Sequence, residues 1–214
     1  MTSHVFLASA AIKFLRTQSI KCSNGCIRGK SYVTNASSNR GTDELSRSLC
    51  WIRRCKSEKE VESLGKQLAK VCESGSVIML RGDLGAGKTT LARGLIREKL
   101  QEPELRVTSP SYLLDNVYEY GNLTIHHIDL YRLPTGSDMS IIGIPHIFKS
   151  ALCLIEWPQR ISAQFMPIDY IDIELLFECD RNGEENRIVK IKPSSSTSVL
   201  VDVLKVALGT YELD

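Results

Sequence analysis

The sequence predicts an α/β fold: a mainly parallel sheet flanked by helices and ending in an antiparallel hairpin. Three observations predict it. The apolar run "VIML" at 77–80 leads through glycines into a segment of helical periodicity. A second apolar run, "ALCLIE" at 151–156, has the composition of a strand buried on both faces. Near the C-terminus, Ile171, Ile173, Leu175 and Phe177 alternate with Asp172, Glu174 and Glu178, then turn through Asn182-Gly183, which is a half-buried hairpin.

Taken in order, residues 1–42 hold Lys13, Arg16, Lys21, Arg28, Lys30 and Arg40 and no acid. In "FLASAAIKFLR", Leu7, Ala11, Phe14 and Leu15 share one helical face, with Ser9, Lys13 and Arg16 opposite. Basic, hydroxyl-rich and amphipathic, this segment reads as an organellar transit peptide, mitochondrial in character with plastid as the alternative. Residues 43–55 read as a linker. From 56 to 192 runs one α/β domain, opened by a helix that Ser57 caps, with Glu60 three residues on and Val61, Leu64, Leu68 and Val71 as its apolar stripe. After the first strand and its helix, the chain alternates strand-like pieces about Gly121-Asn122, and "IIGIPHIF" is a short irregular helical piece. Residues 193–214 read as a linker and a last amphipathic helix through Val199, Leu200, Val203, Leu204 and Ala207.

Composition bounds the partners. Removing the six N-terminal cations from the chain's net +2 leaves −4 for residues 43–214. A mildly acidic body lacks the electrostatic footprint of a protein that grips nucleic acid unaided, so any such partner is held through another protein. The seven cysteines lack paired metal-ligand spacing and read as reduced thiols. No stretch nears 18 consecutive apolar residues, so no transmembrane helix and no membrane partner are expected.

The chemistry concentrates at "GDLGAGKTTLARGL", 82–95, where Gly82, Gly87, Lys88 and Thr89 satisfy G-x-x-x-x-G-K-[ST]. In that pattern the loop amides and helix N-terminus face an oxyanion, the Lys88 ammonium reaches the β- and γ-phosphates, and the Thr89 hydroxyl ligates Mg²⁺. Glu156 closes the second apolar run, where a carboxylate gains from a metal partner; a surface acid is the plain alternative. Asp129, between a strand and a turn, is placed to orient an attacking water or to cap the turn. Thr108, Ser109 and Ser111 surround Pro110 on a loop that can sense a γ-phosphate or form an ordinary Ser-Pro turn. His126 and His127 are adjacent, face opposite sides of a strand, and read as packing or surface residues. Trp157 reads as core filler. A guanine-specific N-K-x-D is absent, Asp129 does not open a D-x-x-G, and no Arg-rich kinase lid is evident, which favours ATP hydrolysis. A nucleotide-gated binding module and a small-molecule kinase remain the alternatives.

Together "GDLGAGKTT", "TSPSY", "DLYRL", "GI" at 143–144 and "IEWPQR" resemble the TsaE (YjeE) family of P-loop ATPases over residues 56–190. The resemblance implies ATP and Mg²⁺ as cofactors. It also implies a role in threonylcarbamoyladenosine modification of tRNA, exerted on a complex of the TsaD transferase and its TsaB partner. The family's loop contacts fall on Asp83, Gly85, Ala86, Gly87, Lys88, Thr89 and Thr90, and its metal ligands on Thr89 and Glu156. Asp129 matches a family acid required for activity, and Trp157 a functionally important aromatic. This chain departs from the family at Ser111, where Thr is usual, and at Val61, where a Thr lies near the base. It also carries "TGSDMSII" in place of an acidic stretch.

Overall fold

The computed structural model describes residues 49–179, 183–194, 198–209 and 212–213. The transit peptide read over 1–42 and the turn residue Asn182 lie outside them. The elements run β1 (Leu49–Cys55), α1 (Glu58–Ala69), β2 (Val77–Arg81), α2 (Lys88–Leu100), β3 (Asp115–Tyr120) and β4 (Leu123–Asp129). They continue with β5 (Leu152–Glu156), β6 (Ile171–Cys179), β7 (Glu185–Pro193), α3 (Ser198–Leu208) and β8 (Glu212–Leu213).

The strands form one sheet in the order β3-β4-β5-β2-β6-β7-β1-β8. Its centre, β4-β5-β2-β6, is parallel, and antiparallel strands flank it on both sides. The expected C-terminal hairpin is β6–β7, paired over nine residues of each strand. Burial follows the pleat. Ile78 and Leu80 join the core under α1 and α2, whereas Val77 and Met79 join a second core on the opposite face. That second core is covered by an irregular segment with short 3-10 turns at Met139–Ile142 and His146–Lys149, which bury Met139, Ile144 and Phe148 against Ile128 and Ile155.

Helix α1 begins as its sequence dictates. The Ser57 side chain accepts from Glu60 N, and Val61, Leu64 and Leu68 face the core. In α3, among the described side chains, the buried positions are Val201, Leu204 and Leu208; Val203 and Ala207 sit half-buried beside them.

The linker read over 43–55 is corrected from Leu49 onward. Residues 49–55 form strand β1, paired in register with β7 (Trp51 opposite Ile191) and with β8. Trp51 is fully buried, and its indole N–H donates to Gly209 O at 2.9 Å. Burial of Cys50, Trp51 and Cys55 and a satisfied ladder hold Arg53 and Arg54 within the strand.

Candidate functional site

Three carboxyl ends of parallel strands meet at one edge of the sheet, the place where open α/β sheets bind ligands. Leu80 of β2 lies in register with Glu156 of β5, and Glu156 with Asp129 of β4. The loop after β2 then turns into α2. Gly82 (φ 135°) has no room for a side chain, because a Cβ there would stand 2.4 Å from Leu175 O. Gly87 takes the left-handed conformation (φ 108°) at the helix N-cap, which a glycine adopts without penalty.

The charged groups Lys88, Asp129 and Glu156 are buried, and each has hydrogen-bond partners. Lys88, 4% exposed, donates from Nζ to Gly82 O and Asp83 O, each at 2.8 Å, and lies 4.3 Å from the centre of the Trp157 ring. Burial pushes its ammonium below the ordinary lysine value, against the opposing pull of Glu156, Asp129 and Asp83. The Thr89 hydroxyl donates to Glu156 Oε1 at 2.8 Å. Asp129 accepts from Ser109 Oγ and from Tyr131 N, so both its oxygens are held. Thr90 donates to Glu58 Oε1 at 3.1 Å, tying the start of α2 to the start of α1.

Two cavities meet at the loop. One, of about 420 Å³, is lined by Lys88, Thr89, Ser109, Ser111, Asp129, Tyr131, Arg132, Glu156 and Trp157, with loop residues Leu84, Gly85 and Gly87. The other, of about 380 Å³, lies between Ala86 and the start of α1, with Cys55, Lys56, Val61 and Arg187 in its wall. Gly85, Gly87 and Thr90 belong to both. A ligand with a polyanionic end and a less polar end fits that pair of spaces astride a helix N-terminus. The donor set beside Lys88 also fits a small hard cation, since a hydroxyl and a carboxylate oxygen 2.8 Å apart are hard ligands. Among the described residues no group of three or more His, Cys, Asp or Glu forms a metal cage.

The sequence profile described as "Threonylcarbamoyl adenosine biosynthesis protein TsaE" matches residues 55–187. The chain belongs to the TsaE family. Among curated TsaE proteins, that of Rickettsia felis is 33% identical over 159 residues, covering 73% of this chain and 89% of its own length. The Treponema pallidum protein is 35% identical, covering 60% and 93%. Both bear the name tRNA threonylcarbamoyladenosine biosynthesis protein TsaE. The crystal structure of Bacillus subtilis YdiB shares the fold, with a TM-score of 0.57 and 23% identity, covering 75% of this chain and 98% of that one.

Within this TsaE chain, the structure gathers Gly85, Gly87, Lys88, Thr89, Thr90, Asp129, Glu156 and Trp157 around the first cavity, and Ala86 at the second. Asp83 contributes its carbonyl, while its side chain is exposed. Thr108 is a correction. It is exposed, lies outside both linings and offers only its carbonyl, to Asn116 Nδ2; Ser109 and Ser111 supply the hydroxyls instead. The loop around Pro110 is irregular, with Thr108 exposed and Ser109 and Ser111 half-buried. The sequence reads His127 only as a packing or surface residue and does not single out Arg132. His127 is fully buried with Nε2 2.9 Å from Glu156 Oε1, and its two-residue spacing from Asp129 was the available signal. Arg132 lines the first cavity with its guanidinium 4.2 Å from the Tyr112 ring centre.

Proposed function

We propose that this chain is a Mg²⁺-dependent P-loop ATPase that sustains threonylcarbamoyladenosine formation in tRNA by acting on a complex of a TsaD-like transferase and a TsaB-like subunit. The observation that carries the reading is the Thr89 hydroxyl 2.8 Å from the Glu156 carboxylate, on neighbouring strand ends beside a buried Lys88. Family membership supports the pathway.

In this reading the loop amides and Lys88 bind the triphosphate, and Lys88 exchanges its two carbonyl partners for phosphate oxygens. Thr89 and Glu156 would hold Mg²⁺, which would supply neutralisation of the phosphate charge. Asp129, fixed by Ser109 and by Tyr131 N, holds the attacking water and accepts its proton. Arg132 is the second cation of the phosphate cavity. The base occupies the cavity beside Val61.

The body's net charge of −4 supports tRNA being held by the partner complex and reached only indirectly. The basic, acid-free residues 1–42 support delivery to a mitochondrion or plastid, and an import assay on the full chain tests that address. A second reading, in which the ATP state only docks a partner, draws on the exposed Leu84, Tyr112, Leu113 and Tyr131, of which the first three are more than 70% exposed. Comparing Lys88→Ala with Asp129→Ala in many-cycle tRNA modification assays separates the two. Our reading expects both to fail, the first without binding ATP and the second while still binding it. Full modification by Asp129→Ala would give the role to docking alone.

A further inference from the structure

We propose that His127 is a positioning residue that sets the Glu156 carboxylate for the metal ion. This rests on the reading above that Glu156 takes that ion. His127 stands on β4, two residues before Asp129 and therefore on the same face of the strand, toward α2 and the loop. It is fully buried, and Nε2 donates to Glu156 Oε1 at 2.9 Å. The Thr89 hydroxyl donates to the same oxygen at 2.8 Å. Two donors thus converge on Oε1, and among the described residues Oε2 carries no hydrogen bond.

That asymmetry is what a ligating carboxylate needs. One oxygen is clamped, which fixes the plane of the group, and the other remains for an ion or for a water on it. Thr89 is itself a ligand of the ion in this reading, donating its proton to Oε1 while a lone pair faces the ion, so its place depends on that ion. His127, held on β4, is the donor to Oε1 that does not also touch the ion. The other ring nitrogen, Nδ1, is buried with no partner. An unpartnered nitrogen is costly in an apolar interior, so packing alone would favour a leucine at this position. The bond to Glu156 gives the imidazole a reason to be there.

The test uses the full chain with ADP and Mn²⁺, reading free Mn²⁺ by its electron paramagnetic resonance signal, with ADP affinity in EDTA as the control for fold. His127→Leu keeps an apolar side chain of similar size and removes the donor. His127→Gln places an amide N–H near the position of Nε2. Losing an outer-shell donor costs about 10- to 100-fold in metal affinity. We expect His127→Leu to weaken Mn²⁺ binding by that factor at unchanged ADP affinity in EDTA, and His127→Gln to stay within about threefold of the wild type. Should the Leu variant fail to fold, His127→Asn replaces it, because its shorter amide reaches Nδ1 and not Nε2. Wild-type Mn²⁺ affinity in the donor-less variant, with weakened affinity in Glu156→Gln, overturns the role of His127 and leaves the metal site standing. Unchanged affinity in Glu156→Gln overturns the metal site itself.

Discussion

Replacing Gly94 by alanine sets two physical effects of opposite sign against each other. Helices α1 and α2 pack glycine to backbone. A Cβ at Gly94 would stand 2.0 Å from Glu62 O, and one at Gly65 would stand 2.1 Å from Leu91 O, where 3.4 Å begins ordinary contact. Helix propensity alone favours Gly94→Ala by about 1 kcal/mol. The overlap is with main-chain atoms of the facing helix, so it is relieved only by moving α1 away, at a cost of about 3 kcal/mol, the upper end for overpacked cores. The net is a loss of about 2 kcal/mol, or about 4–8 °C in Tm for a domain of this size. The same displacement stretches the 3.1 Å Thr90–Glu58 bond and opens the cavity beside Val61. Thermal melts and fluorescent-nucleotide titrations of Gly94→Ala read both effects, and nucleotide affinity should fall with Tm. A variant that melts higher than the wild type would refute the reasoning, because it would mean that the two helices do not meet at that glycine.

Trp157→Ala removes the ring 4.3 Å from Lys88 Nζ, a cation–π contact of about 0.5–2 kcal/mol, so nucleotide binding should weaken about 2- to 30-fold while Trp157→Phe retains most of it. Equal affinity in the Ala and Phe variants would contradict this. Arg132→Ala should lower the ATP hydrolysis rate by about 100-fold, as for loss of one transition-state donor, with little change in ADP affinity; equal loss of both would make Arg132 a general binding residue. Burial pushes the thiols of Cys72 and Cys153 up to about 12, from an ordinary value of 9.0. Both therefore stay protonated in the fold while the unfolded thiols ionise. Their contribution to stability is complete below about pH 9 and is lost as pH climbs toward 12, at ~1.4 kcal/mol per pH unit for each thiol. Urea midpoints at about pH 8 and about pH 10 should differ accordingly, and identical midpoints would contradict the burial of these thiols.

The parts of the fold that were legible in the sequence are those written in short-range pattern. The strand–loop–helix unit at 77–100 carries its glycines, lysine and helical period within a single window, and Glu156 is marked by the apolar run that it ends. The β6–β7 hairpin announces itself by the alternation of Ile171, Ile173 and Leu175 with Asp172 and Glu174, although Leu176 interrupts the pattern and Phe177 beyond it is exposed. What stayed hidden depends on partners far along the chain. Strand β1 is justified by β7, some 140 residues later, by β8 and by the Trp51–Gly209 bond, none of which is visible in the local sequence at 49–55. Antiparallel strands on both sides of the parallel centre follow from how β1 and β3 pair, which no local period encodes. The two histidines were rightly assigned to opposite faces, His126 meeting Asp115 and His127 meeting Glu156. The value of His127 lies in a contact 29 residues away. Thr108 and Ser109 differ by one position, and on an irregular loop no periodicity says which of them turns inward.

The most direct measurement is the position of a divalent ion, located by its anomalous scattering in crystals of the chain grown with Mn²⁺ and a non-hydrolysable ATP analogue. The account predicts one ion beside the loop, at about 2.0–2.3 Å from Thr89 Oγ1 and from a phosphate oxygen, with the Glu156 carboxylate bonded to it directly or through one water. An ion that contacts neither residue, or an analogue bound away from the loop at 82–89, would contradict it.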